Sequence, residues 1–204
     1  IVTSAQRGGG PDVRVFDAFG VPVTKGVFVY GEALRGGVNL ACDDVMGDAR
    51  AELVTLPGAG GGSHVRVWNL EGDELKLEKE FFAFDASDRS GLVGVVSDKQ
   101  LIVAQQKTSS PIIKTFSLVG EKKIVDERTI NIDATGIASI VIHNSHTTIS
   151  TTSDGMMYDV HTKTKKQISD VGESFVLATV DDKLIAAPSR PLFESSDKTK
   201  IIVD

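Results

Sequence analysis

IVTSAQRGGGPDVRVFD, residues Ile1 to Asp17, lies without a gap over LVTLPGAGGGSHVRVWN, residues Leu53 to Asn69. Val-Thr, Gly-Gly-Gly and Val-Arg-Val coincide; Phe16 falls over Trp68 and Gly20 over Gly72. After a small insertion, Val27-Phe28-Val29-Tyr30 matches Phe81-Phe82-Ala83-Phe84, and Gly37-Val38 matches Gly91-Leu92. Self-similarity at a period of about 50 residues marks a repeat architecture, and that length suits one blade of a β-propeller.

The pattern restarts at Leu101-Ile102-Val103-Ala104, at Thr148-Ile149-Ser150 and at Leu184-Ile185-Ala186-Ala187, without the triple glycine. Residues 1–204 therefore read as one repeat domain with units at 1–52, 53–100, 101–146, 147–183 and a partial 184–204. Within a unit, Val65 and Val67 alternate with His64, Arg66 and Trp68, the period-two signature of a strand. Glu71-Gly72-Asp73 and Asp85-Ala86-Ser87-Asp88 supply turns, and Ile112-Ile113, Ile124-Val125 and Ile140-Val141-Ile142 keep the β-branched character later in the chain. Asp73 to Phe82 has helical propensity, but its counterpart Val21 to Tyr30 is Val-rich, and equivalent repeats share structure, so it reads as strand. The expected fold is all-β: a β-propeller of four-stranded antiparallel blades, roughly four to five of them, or part of a larger ring. Ile201-Ile202-Val203 reads as a further strand, expected to close the ring beside the N-terminal strands.

With Lys+Arg at 22 and Asp+Glu at 28, the net charge of −6 argues against nucleic acid as a partner. Lys163, Lys165 and Lys166 form the densest basic run and read as a solvated strand face. Cys42 is the only cysteine, so no intrachain disulfide forms, and its two aspartate neighbours disfavour a reactive thiolate. No apolar stretch approaches the roughly 18 residues of a membrane span. The chain opens Ile1-Val2-Thr3 with no visible leader, and reads as a processed chain or a fragment of a longer one.

GGGPDVRVFD and GGGSHVRVWN resemble the units of FG-GAP or VCBS-type propeller repeats, which are similar, distantly, to the blades of integrin α chains. Gly36 to Val54, GGVNLACDDVMGDARAELV, is similar to the same family's acidic segment, and the likeness covers Ile1 to Phe84. The resemblance implies a bacterial extracellular or cell-surface protein that binds or scaffolds through its loops, with a protein or glycan ligand. It also implies a calcium loop. Ca²⁺ takes six to eight oxygens, mostly from carboxylates spaced along a tight turn. By position, Asp44 would be the first ligand, Asp48 the third and Arg50 a backbone-carbonyl ligand, with Glu52 standing at the closing aspartate. Two residues depart from the pattern: Met46 replaces an oxygen ligand with a thioether, and Ala49 replaces a turn glycine. The alternative is a former calcium loop that survives as a polar turn. Ser97-Asp98-Lys99 and Asp181-Asp182-Lys183 keep turn chemistry with too few oxygens for a metal.

Other motifs favour structure over chemistry. The triple glycines lack the Lys-Ser/Thr and the helix of a phosphate-binding loop, and read as tight turns. His143 and His146 sit in strand or turn context, where the three-residue spacing does not converge on a metal. His64 and His161 stand singly. Arg14 with Phe16 and Arg66 with Trp68 suggest cation–π packing. No nucleophile, base and acid fall in a recognised setting, so a non-catalytic role is expected. The rivals are a propeller lectin, which needs a recurrent aromatic and polar pocket, a propeller-borne hydrolase or lyase, which needs a carboxylate or metal cluster, and a purely structural segment of an assembly.

Overall fold

The computed structural model describes all residues except 109, 131–135, 144–145, 152–155, 168–174, 181–182, 189–201 and 204. Among the described residues every regular element is a β-strand. The first sheet comprises β1 (Val2–Ser4), β2 (Asp12–Val15) and β3 (Val27–Phe28). The second comprises β4 (Val38–Asp43), β5 (Glu52–Pro57), β6 (His64–Glu71) and β7 (Glu74–Phe82). β8 (Leu92–Ser97), β9 (Gln100–Gln105), β10 (Ile112–Ser117) and β11 (Lys123–Thr129) form the third. The fourth holds β12 (Ile137–His143), β13 (His146–Thr151), β14 (Met156–Asp159) and β15 (Lys165–Gln167); the fifth holds β16 (Phe175–Val180), β17 (Lys183–Pro188) and β18 (Ile202–Val203). Each sheet is an antiparallel meander in which consecutive strands pair, the blade architecture of a β-propeller, and the fold class is all-β as the repeats implied.

Each sequence unit after the first begins in the second strand of a sheet: Leu53 lies in β5, Leu101 in β9, Thr148 in β13 and Leu184 in β17. The first strand of each of these sheets is therefore contributed by the preceding unit, and the repeat is out of phase with the blade by one strand. Asp73 to Phe82 is extended, with β7 paired to β6 from Glu71↔Glu74 to His64↔Phe82. Tertiary pairing overrides its helical propensity. The last strand, β18, pairs with β17 through Ile185↔Val203 and Ala186↔Ile202.

The chain gathers into two compact units, residues 1–106 with 113–128, and residues 107–112 with 129–204. In the first, β1 lies beside β4 and β4 beside β8. The Ser4 hydroxyl donates to the Val38 carbonyl at 2.7 Å, and the Asn39 amide group to the Leu92 carbonyl at 2.6 Å, so side chains pin each sheet to the next. In the second, β12 lies beside β16, and the Leu177 amide donates to the Ser139 hydroxyl at 2.8 Å.

β5 shows why the blades need one another. All six of its residues are buried. Leu53 packs with Val13, Val29, Val38 and Trp68 toward the first sheet, while Val54 and Leu56 join Val65, Val67, Leu92, Leu101 and Phe116 toward the third. A strand alternates its side chains between faces, so a strand apolar on both is stable only between two neighbours. Close approach at the junctions requires glycine: a Cβ on Gly37 would crowd the Gln6 and Arg7 backbone, and one on Gly91 would overlap Gly58 and Ala59. Both glycines also sit at positive φ, 83° and 78°. Among the described residues no helix is long and apolar enough to cross a membrane.

Candidate metal centre

The β4–β5 loop, residues 44–51, brings together the carboxylates that the sequence singled out. One oxygen from each of Asp44, Asp48 and Glu52 lies within 4.8 Å of the others. Asp44 folds the loop around itself. Its Oδ1 accepts the amides of Gly47 at 2.6 Å and Asp48 at 3.1 Å, and its Oδ2 accepts the Ala49 amide at 3.1 Å. Asp48 Oδ1 accepts the Arg50 amide at 3.0 Å, so Arg50 belongs to the same loop. These bonds satisfy a backbone that has left the sheet ladder. Each carboxylate oxygen has two lone pairs, so bonding to amides does not by itself close it to a cation.

Glu52 is the floor of the loop. It opens β5 and is fully buried. Its Oε2 accepts the amides of Val45 at 3.1 Å and Met46 at 2.9 Å, while its Oε1 is buried without a hydrogen-bond partner. Burial pushes the Glu52 carboxyl above its usual range, and the charges of Asp48 and Asp44 add to the rise against the Met46 and Val45 amides. An unpartnered buried carboxylate oxygen costs several kcal/mol, of order 1–3 or more, unless a proton or a cation meets it. The donor set, three carboxylates around a tight oxygen-lined turn, fits a hard divalent cation such as calcium.

The two departures from the family pattern have distinct structural outcomes. Met46 packs against the apolar core between the second and third sheets, beside fully buried Val45, and so is turned to packing. Ala49 holds φ at 67°, the left-handed region, which costs a residue with a Cβ about 1 kcal/mol. The sequence did not single out the neighbour across the loop. Lys99 Nζ lies 4.0 Å from Asp44 Oδ2, carried on the β8–β9 turn where Asp98 and Lys99 both have positive φ. The run Ser97-Asp98-Lys99 foretold a turn, but nothing in it told that the lysine would face the acidic loop.

Elsewhere the expected contacts sort differently. The aromatic partner of Arg66 is Tyr30 of the first sheet, 5.3 Å from guanidinium carbon to ring centroid, rather than Trp68. The same arginine donates to the Val29 carbonyl at 2.6 Å and to Glu80 at 3.0 Å. Arg14 pairs with Asp12 at 2.9 Å rather than with Phe16. The triple glycines form equivalent turns: Gly8 donates to the Arg35 carbonyl at 2.8 Å and Gly60 to the Arg89 carbonyl at 2.9 Å. Cys42 is exposed near the end of β4; desolvation raises its thiol, and Asp43 adds to the rise against the opposing pull of the N-terminal ammonium.

His143 and His146 are register partners across the β12–β13 hairpin, whose residues 144–145 lie outside the described set. His146 Nδ1 lies 2.7 Å from Asp159 Oδ2, and its ring stacks on His161 at 5.4 Å. Burial pushes Asp159 up, but bonds from the Thr162 amide, the His146 ring and the His161 amide outweigh it and hold the carboxyl at about 2. Asp181 and Asp182 lie outside the described residues. No protein-family model and no curated protein matches the chain.

Proposed function

We propose that this chain is a non-catalytic β-propeller module of an extracellular or cell-surface protein, which offers its loops to a protein or glycan partner and is stiffened by calcium at Asp44, Asp48 and Glu52. The observation that carries the calcium part is the fully buried Glu52 carboxylate, whose Oε1 has no partner beside two further carboxylates. A carboxyl buried in this way needs a proton or a counter-charge, and a loop of closely spaced oxygens is the arrangement calcium takes.

The binding role rests on how the acidic side chains are used. Asp17, Asp44, Asp85, Asp88 and Asp159 all accept amides of their own turns, so these carboxylates build loops. The likeness of Ile1 to Phe84 to FG-GAP and VCBS-type repeats supports the extracellular setting. Calorimetric titration with calcium chloride tests the reading: one ion per chain, lost in Asp48→Ala, is expected, and no binding by the wild type would overturn it.

A further inference from the structure

We propose that Lys99 is the resident counterion of the acidic loop and that a divalent cation entering the loop displaces it. This rests on the calcium reading of Asp44, Asp48 and Glu52. Lys99 Nζ stands 4.0 Å from Asp44 Oδ2, and its stem runs over the loop, with its Cδ 3.7 Å from where a Cβ on Gly47 would lie. The absence of a side chain at Gly47 leaves that space to the lysine and to Val119, whose Cγ2 is 3.1 Å from the same point. The second sheet carries the acidic loop between its first two strands. The third sheet has, in the corresponding place, only the two-residue turn Asp98-Lys99. The neighbouring blade thus supplies a cation where it has no loop of its own.

The lysine covers the rim of the site and not its floor. The side chain of Asp44 is about one-fifth exposed, at 21%, and Lys99 approaches its Oδ2. Glu52 Oε1, fully buried, is left without a partner. A divalent ion seated among all three carboxylates would carry twice the charge and repel the ammonium at this range. With Met46 packed into the core in place of an oxygen ligand, the metal has fewer donors, so the loss of one competing charge is felt. Occupancy is set by the exchange of one cation for the other: the lysine swings to solvent as the metal enters, and returns when it leaves.

Calcium chloride titrations of the full chain, wild type against Lys99→Gln and Lys99→Arg, test this, together with melting in calcium and in chelator. Lys99→Gln is expected to bind calcium about three- to fivefold more tightly, and Lys99→Arg to stay within about twofold of wild type. Lys99→Gln is expected to melt below wild type in chelator and with it at saturating calcium, because the lysine contributes only to the metal-free state. Equal affinity in wild type and Lys99→Gln, or an equal loss of Tm in both conditions, would overturn displacement while leaving calcium binding intact. No calcium binding by any of the three proteins would overturn both.

Discussion

The indole N–H of Trp68 donates to the Thr55 hydroxyl at 3.0 Å, in the core between the first and second sheets. Thr55 is fully buried, and its carbonyl also accepts the Tyr30 hydroxyl at 2.6 Å. One buried threonine thus joins an aromatic from each of two blades. Trp68 is 7% exposed and packs with Val13, Val29, Val38 and Leu53. Trp68→Ala is expected to destabilise the protein by roughly 3–5 kcal/mol in denaturant unfolding. Trp68→Phe keeps much of the buried area, loses the hydrogen bond and is expected to cost less. A Trp68→Ala protein that unfolds with the wild type would contradict this packing.

Ala49 holds the left-handed φ of 67° that the acidic loop demands. Ala49→Gly removes the Cβ penalty and adds entropy to the unfolded chain, and the first effect is the larger at such a position. A gain of about 0.5–1 kcal/mol is expected in denaturant unfolding, with calcium affinity held or raised. A loss of stability would show that the turn is not strained.

The pH dependence of the metal-free protein carries the signature of Glu52. Its folded carboxyl is raised by burial, so the native state holds the proton more tightly than the unfolded chain. The sign is then fixed: stability is greatest below the ordinary glutamate range, about 4.3, and falls as pH rises through the folded value. In chelator, Glu52→Gln is expected to abolish that fall and to exceed the wild type at neutral pH, by of order 1–3 kcal/mol. In calcium the order reverses, since glutamine gives up a charged ligand. Parallel pH profiles of the two proteins in chelator would refute the buried charge.

Asp159 carries the opposite sign. Hydrogen bonds from the Thr162 amide, the His146 ring and the His161 amide overcome desolvation and hold it at about 2. Its contribution is present above the ordinary aspartate range and is lost as pH falls toward about 2. The stability gap between wild type and Asp159→Asn, measured by denaturant unfolding, is expected to be steady from neutral pH down to about 4 and to close below it. A gap that persists unchanged at acid pH would mean that the carboxylate charge contributes nothing.

The strands were legible because they are repeated. Val-Arg-Val at residues 13–15 and 65–67 marks β2 and β6, and the repeat also settled β7, whose composition alone favoured helix. The phase of the blade was not legible. The similarity restarts at Leu53, in β5, whereas the sheet begins one strand earlier, at β4, and only hydrogen bonding decides where a sheet starts. The three carboxylates were legible from spacing, because a loop fixes the distance between its own residues. Lys99 was not, being 55 residues beyond Asp44 and brought there by the packing of one sheet on another. The same holds for Arg66 on Tyr30: alternation told which face the arginine takes, and the neighbouring blade supplied its ring.

The most direct test of the calcium-held blade is thermal unfolding of the wild-type chain and of Asp48→Ala, each in calcium and in excess chelator. A ligand bound by the native state alone must raise the melting temperature, by an amount that grows with its concentration. The wild type is expected to melt higher in calcium than in chelator, and Asp48→Ala to melt at one temperature in both. A wild-type chain that melts cooperatively at the same temperature with calcium and without it would contradict the site and leave Asp44, Asp48 and Glu52 as a polar turn.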